Sequence, residues 1–327
     1  MNRSQPLDAR AVLLTLLTVV LWAGTPVAIR YATDLLQPMT VAGLRFFLAA
    51  IFMFGWAKAH STSLRISANQ WKLPITGGIL LFFQIGTFTA GVYLSNASHG
   101  SIFVNTFIFW IIAIEQYVTR THQLTPLRMT GLLLAALGVS LVVFPESGQN
   151  ARLLEQASID GDLLLLLSAL ILAIKLTYTK YVVQNIHPDS FVFWHDVIGA
   201  SLMLGWAFLV EGFQPLILLR TDDLQTRNAI WALVYQGLAV AGLCFAIQAR
   251  LLKRHSTSSI AVFSFATPLF GILFAVLFRG DPVSPWLFGS GTAVALGILL
   301  VNLKFVPPQS ERNEEVRGSS AESQTEY

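Results

Sequence analysis

The stretch "LPITGGILLFFQIGTFTAGVYLSNASHGSIFVNTFIFWIIAI", from Leu73 to Ile114, runs for 42 residues without Asp, Glu, Lys or Arg. A helix needs about 20 apolar residues to cross a lipid bilayer, so this run is long enough for two crossings. Its middle, "LSNASHG" (Leu94 to Gly100), is polar and contains glycine, which is typical of a turn. The stretch therefore predicts a tight hairpin of two transmembrane helices.

The whole chain shares this apolar character. Of its 327 residues 54% are hydrophobic and 12% are charged, and the mean hydropathy is +0.62, whereas soluble domains carry about 25% charged residues. Four further uncharged runs are also candidate spans: Ala11–Ile29, Asn228–Ala249, His255–Phe278 and Pro282–Leu303. Four weaker segments complete the set of candidate spans: Met39–Ala57, Pro126–Phe144, Asp162–Val183 and Ser190–Val210. We predict an all-α integral membrane protein with ten transmembrane helices. The first run is expected to be retained, because its apolar core exceeds the about 7 to 15 residues of a signal-peptide core.

The distribution of Lys and Arg predicts the orientation. Outside the spans, fourteen of these residues fall in segments on the side of the N-terminus and five on the other side. Cytoplasmic loops carry the excess of positive charge, so both termini are expected in the cytoplasm and the protein in the plasma membrane. Residues 304–327 are polar and rich in Pro, Ser and Glu, which predicts a disordered cytoplasmic tail. The net charge of +3 reflects the loop bias and indicates no nucleic-acid partner.

The two halves of the chain resemble each other. A shift of 150 residues aligns "MFGWA" (Met53 to Ala57) with "MLGWA" (Met203 to Ala207), and a shift of 159 aligns "AALG" (Ala135 to Gly138) with "VALG" (Val294 to Gly297). We therefore expect two five-helix repeats, 1–150 and 151–303. Because five is an odd number of crossings, the second repeat is inverted relative to the first. Inverted repeats are typical of secondary transporters, whose substrate site lies near the bilayer midplane between the repeats.

Three segments resemble a known family: "LWAGTPVAIRYA" (Leu21 to Ala32), "PMTVAGLRFFLAA" (Pro38 to Ala50) and "TPLFGILFAVLFRGDPVSPWLFGSGTAVALGILLV" (Thr267 to Val301). Together they are similar to the drug/metabolite transporter superfamily, specifically its EamA-type members. The resemblance implies ten helices in two inverted repeats. It also implies export or exchange of small polar metabolites such as amino acids. Trp22 falls in a Trp-small motif of that family, which implies that it lines the cavity; the alternative is that it packs in the core.

Polar residues at helical spacing identify the candidate substrate pathway, because positions three and four apart share a helix face. The candidates are Trp22 and Thr25 on the first span, Gln84 and Thr87 on the third, Asn105 on the fourth, Lys175 and Tyr178 on the sixth, and Tyr235 and Gln236 on the eighth. The alternative for the hydroxyl residues is that they only let helices approach closely and bond to each other.

Lys175 is the strongest candidate. It lies thirteen residues after Asp162 and eight before Val183, so it is near the middle of its span and too far from either interface to snorkel. Its repeat equivalent is Thr25, which suggests that both residues face one cavity. A buried ammonium there could bind a substrate carboxylate or carry a proton. The alternative is an internal ion pair with Glu115 or Asp196.

Four other ionisable residues lie within the spans. Arg45 is expected to be structural or gating, because it is close enough to the outer end of its span to snorkel or to hold neighbouring helices together. His195 occupies the equivalent position in the second repeat and is expected to have a structural or gating role. Asp196 is its neighbour, but adjacent helix positions point about 100° apart, so the two need not pair. Glu115 is a candidate for proton coupling, with snorkelling to the cytoplasmic interface as the alternative.

Several functional classes are not indicated by the sequence. The six histidines are scattered, Cys244 is the only cysteine, and no nucleophile motif or phosphate-binding glycine loop occurs. We therefore expect no enzyme activity, metal or cofactor, and a carrier driven by a substrate gradient or by protons. The alternatives are an anionic-substrate antiporter of the sugar-phosphate or nucleotide-sugar kind, which should have a paired cationic site, and a non-transporting receptor or scaffold. The sequence does not indicate the oligomeric state.

Overall fold

The computed structural model describes residues 5–95, 100, 103–120, 125–143, 158–212, 223–267, 269–270 and 286–302. Within these ranges the chain is helical and contains no β-strand, only an isolated bridge between Gln5 and His255. The α-helices are α1 (Ala9–Ala23), α2 (Thr25–Thr33), α3 (Pro38–Ala59), α4 (Lys72–Leu94), α5 (Phe107–Ala113), α6 (Pro126–Val143), α7 (Ile159–Val182), α8 (Pro188–Trp206), α9 (Leu224–Val234), α10 (Cys244–Arg254), α11 (Thr257–Ala261) and α12 (Trp286–Asn302). Short 3-10 helices cover Ala68–Gln70 and Val262–Ala266, and π-helical segments cover Ile114–Val118, Ala207–Glu211 and Tyr235–Leu243.

Within the described ranges, five helical stretches are long and apolar enough to cross a membrane: Ala9–Thr33, Pro38–Ala59, Ala68–Leu94, Pro188–Glu211 and Leu224–Arg254. Shorter apolar helices occupy Phe103–Val118, Pro126–Gly138, Thr257–Ala266 and Thr292–Val301. Helix α7 is 24 residues long but carries Asp160, Asp162, Lys175 and Lys180. Helices satisfy their own backbone hydrogen bonds, as the lipid interior requires. The chain is therefore an all-α, multi-pass membrane protein.

The first predicted span is present but broken at Gly24. Helix α1 ends at Ala23, Gly24 forms a turn, and α2 begins at Thr25. Pro26 lies in the first turn of α2, where its missing N–H does no harm, whereas inside a continuous helix it would remove a hydrogen bond. A Cβ at position 24 would lie 2.7 Å from the Tyr235 hydroxyl oxygen, so glycine is what allows that close contact.

Two other predictions concern residues outside the described ranges. The predicted hairpin turn at Leu94 to Gly100 includes 96–99, and the predicted tail covers 304–327; both segments lie outside the described residues. Helix α4 does end at Leu94, where the predicted turn begins.

Two helix pairs pack antiparallel through small residues. In the α3–α8 pair, Gly43 lies against Leu204 near one end, and Phe54 lies 6.2 Å from Phe193 near the other. In the α6–α12 pair, a Cβ on Gly131 would lie 2.8 Å from the carbonyl oxygen of Gly297, and one on Gly297 would lie 2.6 Å from that of Gly131. Glycine thus lets both backbones approach closely, as is common between membrane helices.

Polar contacts join the helices at both ends of the bundle. We call one end the N-terminal face; there the backbone N–H of Gln5 donates to the Arg254 carbonyl, and Lys180 Nζ donates to the His255 carbonyl at 2.6 Å. At the opposite face, the Glu211 carboxylate accepts from the backbone N–H groups of Met39 and Thr40, at 2.8 and 2.9 Å. That carboxylate therefore caps the first turn of α3.

Candidate functional site

A group of polar side chains is buried in the middle of the bundle, where α3, α4, α7, α8 and the Tyr235–Leu243 segment meet. We call it the central polar cluster, and each of its members is at most 3% exposed. The members are Arg45, Gln84, Lys175, His195, Asp196 and Gln236. Buried polar and charged groups are costly in a membrane protein, so a cluster of this kind indicates a functional site.

Lys175 lies in the middle of α7, as predicted, and bonds to α4. Its Nζ donates to Gln84 Oε1 at 2.8 Å and lies 4.8 Å from the centre of the Phe245 ring. The Gln84 amide nitrogen in turn donates to Ser168 Oγ at 3.3 Å, which holds the amide oxygen toward Lys175. Among the described residues, no carboxylate lies within ion-pair distance of Lys175. The amide and the aromatic ring therefore take the place of the internal ion pair considered from the sequence.

Arg45 is buried in the cluster. It is 3% exposed, so it does not snorkel; of the two structural roles considered from the sequence, contact with neighbouring helices is the one that burial allows. The reason is tertiary: the segment beginning at Tyr235 covers this part of α3, and Gly237 lies against the Arg45 carbonyl and Leu48. The guanidinium carbon lies 5.1 Å from the centre of the Phe46 ring, and Nε and Nη1 have no hydrogen-bond partner among the described residues.

His195 and Asp196 bond to each other, although adjacent positions on a helix point apart. His195 Nδ1 lies 2.8 Å from Asp196 Oδ1, so a proton on Nδ1 is donated to the carboxylate. The other oxygen, Oδ2, has no partner among the described residues. Asp196 interacts electrostatically with both Arg45 and Lys175. This carboxylate is therefore close enough to both cations of the cluster to be influenced by their charge.

Gln236 is the most unusual member of the cluster. It is fully buried, and neither its amide oxygen nor its amide nitrogen has a hydrogen-bond partner within the described ranges. A buried polar group without a partner costs about 1–3 kcal/mol. Gln236 also belongs to a π-helical segment, a feature that occurs frequently at functional sites.

The Phe245 ring contacts residues from both halves of the chain around the cluster, and the sequence analysis did not identify it. Besides Lys175, its ring contacts Trp22 at 6.4 Å, Phe46 at 5.6 Å and His195 at 6.0 Å between ring centres. Because Phe245 sits in a long apolar run with many other phenylalanines, no sequence signal distinguishes it.

The remaining predicted pathway residues surround the cluster or lie apart from it. Thr25 is buried, and its hydroxyl has no partner among the described residues. The Tyr235 hydroxyl donates to the Leu21 carbonyl. Asn105 is 6% exposed. The hydroxyls of Thr87 and Tyr178 are used elsewhere: Thr87 donates to carbonyls of its own helix, and Tyr178 donates to the Leu73 carbonyl at 3.0 Å.

A narrow cleft adjoins the cluster. Two of its lining residues connect it to the cluster. Trp22 contacts the Phe245 ring, and Leu176 follows Lys175 directly in α7. The rest of its lining comes from α1, α5, α10, α11 and the following 3-10 helix: Thr15, Val19, Phe107, Gln248, Leu252, Thr257, Ile260, Ala261 and Ser264. Threonine, glutamine and serine side chains give this otherwise apolar cleft polar groups.

Glu115 lies nearer the N-terminal face. It is 6% exposed, so it does not reach solvent as snorkelling requires. One carboxylate oxygen accepts from the backbone N–H of Ser258 at 3.2 Å, and the other has no partner among the described residues. No cluster of three or more potential metal ligands occurs among the described residues.

Comparison with known proteins places this geometry in a family. The EamA-like transporter family matches residues 9–144 and, separately, residues 159–303. The uncharacterized transporter YoaV of Bacillus subtilis is 22% identical over 90% of this chain and 97% of its own. A probable amino-acid metabolite efflux pump of Salmonella typhimurium is 26% identical over 88% of this chain and 93% of its own.

The fold also has a counterpart among solved structures. One crystal structure aligns with 92% of this chain and 99% of its own, with a TM-score of 0.71 at 17% sequence identity. That likeness concerns the fold alone. The family match covers both parts of the membrane region, as the resemblance in the sequence predicted. The chain belongs to the EamA-like transporter family, within the drug/metabolite transporter superfamily.

Proposed function

We propose that this chain is a secondary transporter, an exporter or exchanger of small polar metabolites such as amino acids, and that the central polar cluster is its substrate site. One observation carries the proposal: Arg45, Asp196 and Gln236 are buried together with hydrogen-bonding atoms that have no partner among the described residues. Native proteins rarely leave such atoms unsatisfied unless a ligand or ordered water uses them. The Salmonella relative, named for efflux of amino-acid metabolites, supports the substrate class.

We further propose ten membrane crossings in two inverted repeats, 1–150 and 151–303. Two observations support this arrangement. The family matches the chain twice, once in each part. Helices α3 and α8, which the shift of 150 residues relates, pack antiparallel, as two elements related by a two-fold axis in the membrane plane can.

Transport would proceed by alternating access, with the repeats rocking about the cluster. Each predicted residue then has a role. Lys175 and Gln84 bind the substrate. The substrate path is lined by Gln236, Asn105, Thr25, Trp22 and Tyr235, and farther out by Thr87 and Tyr178. The site is held or gated by Arg45, His195 and Asp196. Glu115, with one carboxylate oxygen lacking a partner within the described ranges, is the proposed site of proton coupling.

The proposed location is the plasma membrane with both termini in the cytoplasm, on the basis of the Lys and Arg count. A protease added to intact cells should digest a C-terminal tag only after the cell membrane has been permeabilised, because the tag lies in the cytoplasm. Digestion of the tag from outside intact cells would contradict this orientation.

A second candidate is the anionic-substrate antiporter, which the structure favours more than the sequence did. The sequence indicated Lys175 as the one firmly internal cation, but Arg45 is equally buried and interacts electrostatically with it. The two buried cations support this alternative, although the carboxylate of Asp196 is buried with them.

Purified protein in proteoliposomes tests these proposals. Vesicles loaded with unlabelled amino acids, phosphate esters or organic acids should take up the same labelled compound by exchange, and empty vesicles should not. Exchange of phosphate esters alone would favour the antiporter. No exchange with any compound, by protein that remains folded, would favour a receptor or scaffold.

A further inference from the structure

We infer that the central polar cluster selects amino acids that carry a second acid group, that is, substrates with two anionic groups, one ammonium group and a net charge of −1. This inference rests on the proposed function and names its substrate class. It comes from the charges and unpartnered atoms of the cluster.

The charge count gives the first argument. The cluster holds two basic groups, on Arg45 and Lys175, and one carboxylate, on Asp196. Among the described residues no carboxylate lies within ion-pair distance of either cation, and Asp196 is buried with them. With His195 neutral and the other three groups ionised, the cluster has a charge of +1. A buried charge without a counter-charge is costly, so a substrate of charge −1 is the one that neutralises the site.

The unpartnered atoms give the second argument. Arg45 Nε and Nη1 are two donors without partners among the described residues, and each can donate a charge-assisted hydrogen bond to an acid group. Lys175 directs one donor to Gln84 and has two more to offer a second acid group. Asp196 Oδ2 is an acceptor without a partner in the described part of the chain, suited to an ammonium group. Gln236 adds one donor and one acceptor.

Other substrate classes satisfy the cluster less well. A neutral amino acid pairs with one cation and leaves the other without a counter-charge. A dicarboxylate without an ammonium group pairs with both cations but brings its charge toward Asp196 and leaves Oδ2 without a donor. A phosphate ester without an amine has the same defect. The acidic amino acid is the class in which every charged group of the cluster finds an opposite charge.

The test uses the full-length protein in proteoliposomes loaded with L-glutamate. Exchange of labelled L-glutamate is measured against three competitors: L-aspartate, L-glutamine, which lacks the second acid group, and glutarate, which lacks the ammonium group. L-aspartate should compete at concentrations at least about tenfold lower than L-glutamine or glutarate, because losing one buried charge pair weakens binding by at least that factor.

The variant Asp196→Asn tests the ammonium site directly. It should bring glutarate within about threefold of L-aspartate as a competitor, because the group that prefers an ammonium is gone. A merely structural role of Asp196 would lower exchange of all substrates and leave that ratio unchanged. Asp160→Asn is the matched control, since Asp160 is exposed on α7. The wild-type competition alone decides the inference if Asp196→Asn does not fold.

The outcomes separate the two proposals. Exchange of neutral amino acids with little or no exchange of L-glutamate would overturn the inference and leave the proposed function intact. Equal competition by glutarate and L-aspartate in the wild-type protein would overturn the ammonium site. No exchange of any amino acid, organic acid or phosphate ester would overturn the proposed function itself.

Discussion

Two carboxylates on α8, Asp189 and Asp196, lie two turns apart in opposite surroundings. Neither is exposed. Asp189 accepts from Arg250 Nε at 2.9 Å and from Nη2 at 2.6 Å, one bond on each oxygen, and the guanidinium lies 5.0 Å from the centre of the Trp56 ring. Asp196 bonds to His195 through one oxygen and has no partner on the other among the described residues.

The difference shows how one helix can carry two kinds of buried charge. The bidentate pair at Asp189 joins α8 to α10 near the N-terminal face, and Thr62 adds a weaker contact at 3.4 Å. The hydrogen-bonding capacity of the Asp189 carboxylate is therefore used within the protein, which suits a structural role. Asp196, Arg45 and Gln236, in contrast, each have buried polar atoms without a hydrogen-bond partner in the described part of the chain. Substitutions at four positions would break or sharpen this contrast.

The largest effect on stability is expected from Arg250→Gln. Removing the bidentate partner leaves the Asp189 carboxylate buried with only weak contacts, which should lower the free energy of unfolding by about 2–3 kcal/mol. The expected loss is at the lower end for a buried pair, because the Arg250 side chain is 38% exposed and water can partly replace it. Thermal or detergent unfolding measures it. Arg227→Gln, at an exposed position on α9, is the control; equal stability of the two variants would contradict the structural role.

Lys175→Ala should lose most transport yet still insert and fold. Truncating a buried, hydrogen-bonded charge at a binding site costs about 2 kcal/mol or more, so substrate exchange should fall at least about tenfold. Lys175→Arg should be only partly active, because the guanidinium is larger and keeps its proton. Lys58→Ala is the control, since Lys58 also lies over a phenylalanine ring, that of Phe54, but is exposed.

Two results would contradict the role of Lys175. Near-normal exchange by Lys175→Ala at equal membrane abundance would reject it. Recovery of an inactive Lys175→Ala by a second substitution, Glu115→Gln, would favour an ion pair between the two residues, which the structure does not contain.

Gln236→Leu should separate stability from function. An apolar side chain of similar size removes the unpartnered amide, so unfolding should become harder by about 1 kcal/mol. Substrate exchange should nevertheless fall, because the donor and acceptor are gone. Gln225→Leu, at an exposed position of α9, is the matched control. Lower stability with normal exchange would show that the amide is partnered in the working protein.

The smallest effect on stability, a few tenths of a kcal/mol, is expected from Glu115→Gln, because the amide oxygen can still accept from the Ser258 N–H. The dependence of transport on pH should become flatter, since the variant has no carboxylate to exchange protons. Exchange measured across a pH series checks this. Full activity with an unchanged pH profile would rule out proton coupling through Glu115.

Much of the fold could be predicted because helix length and residue polarity are local properties. The absence of charge over Leu73 to Ile114 indicates membrane helices without any knowledge of their neighbours. The position of Lys175 within its span likewise depends only on counting residues. The break at Gly24 was missed because a count of charged residues does not register a turn.

The candidate site was predicted in part. Lys175 and Gln84 are buried and bonded to each other, Gln236 is buried as well, and their polarity in apolar runs was the signal. The burial of Arg45 was not predicted, because its distance from the end of the span suggested snorkelling, while burial depends on the segment packed over it. Phe245 was not identified, because its importance lies in what its ring touches.

The sequence by itself determined that this is a helical membrane protein, which residues are too costly to bury without purpose, and which family it resembles. These follow from the low charge content and from motifs that are contiguous in the chain. Only the tertiary structure decided which buried charges are satisfied. Asp189 and Asp196 look alike in the sequence, and the difference between them comes from Arg250, 61 residues away from Asp189 along the chain. Hydrogen-bond partners are chosen by distances of about 3 Å between helices, which no spacing along one helix specifies.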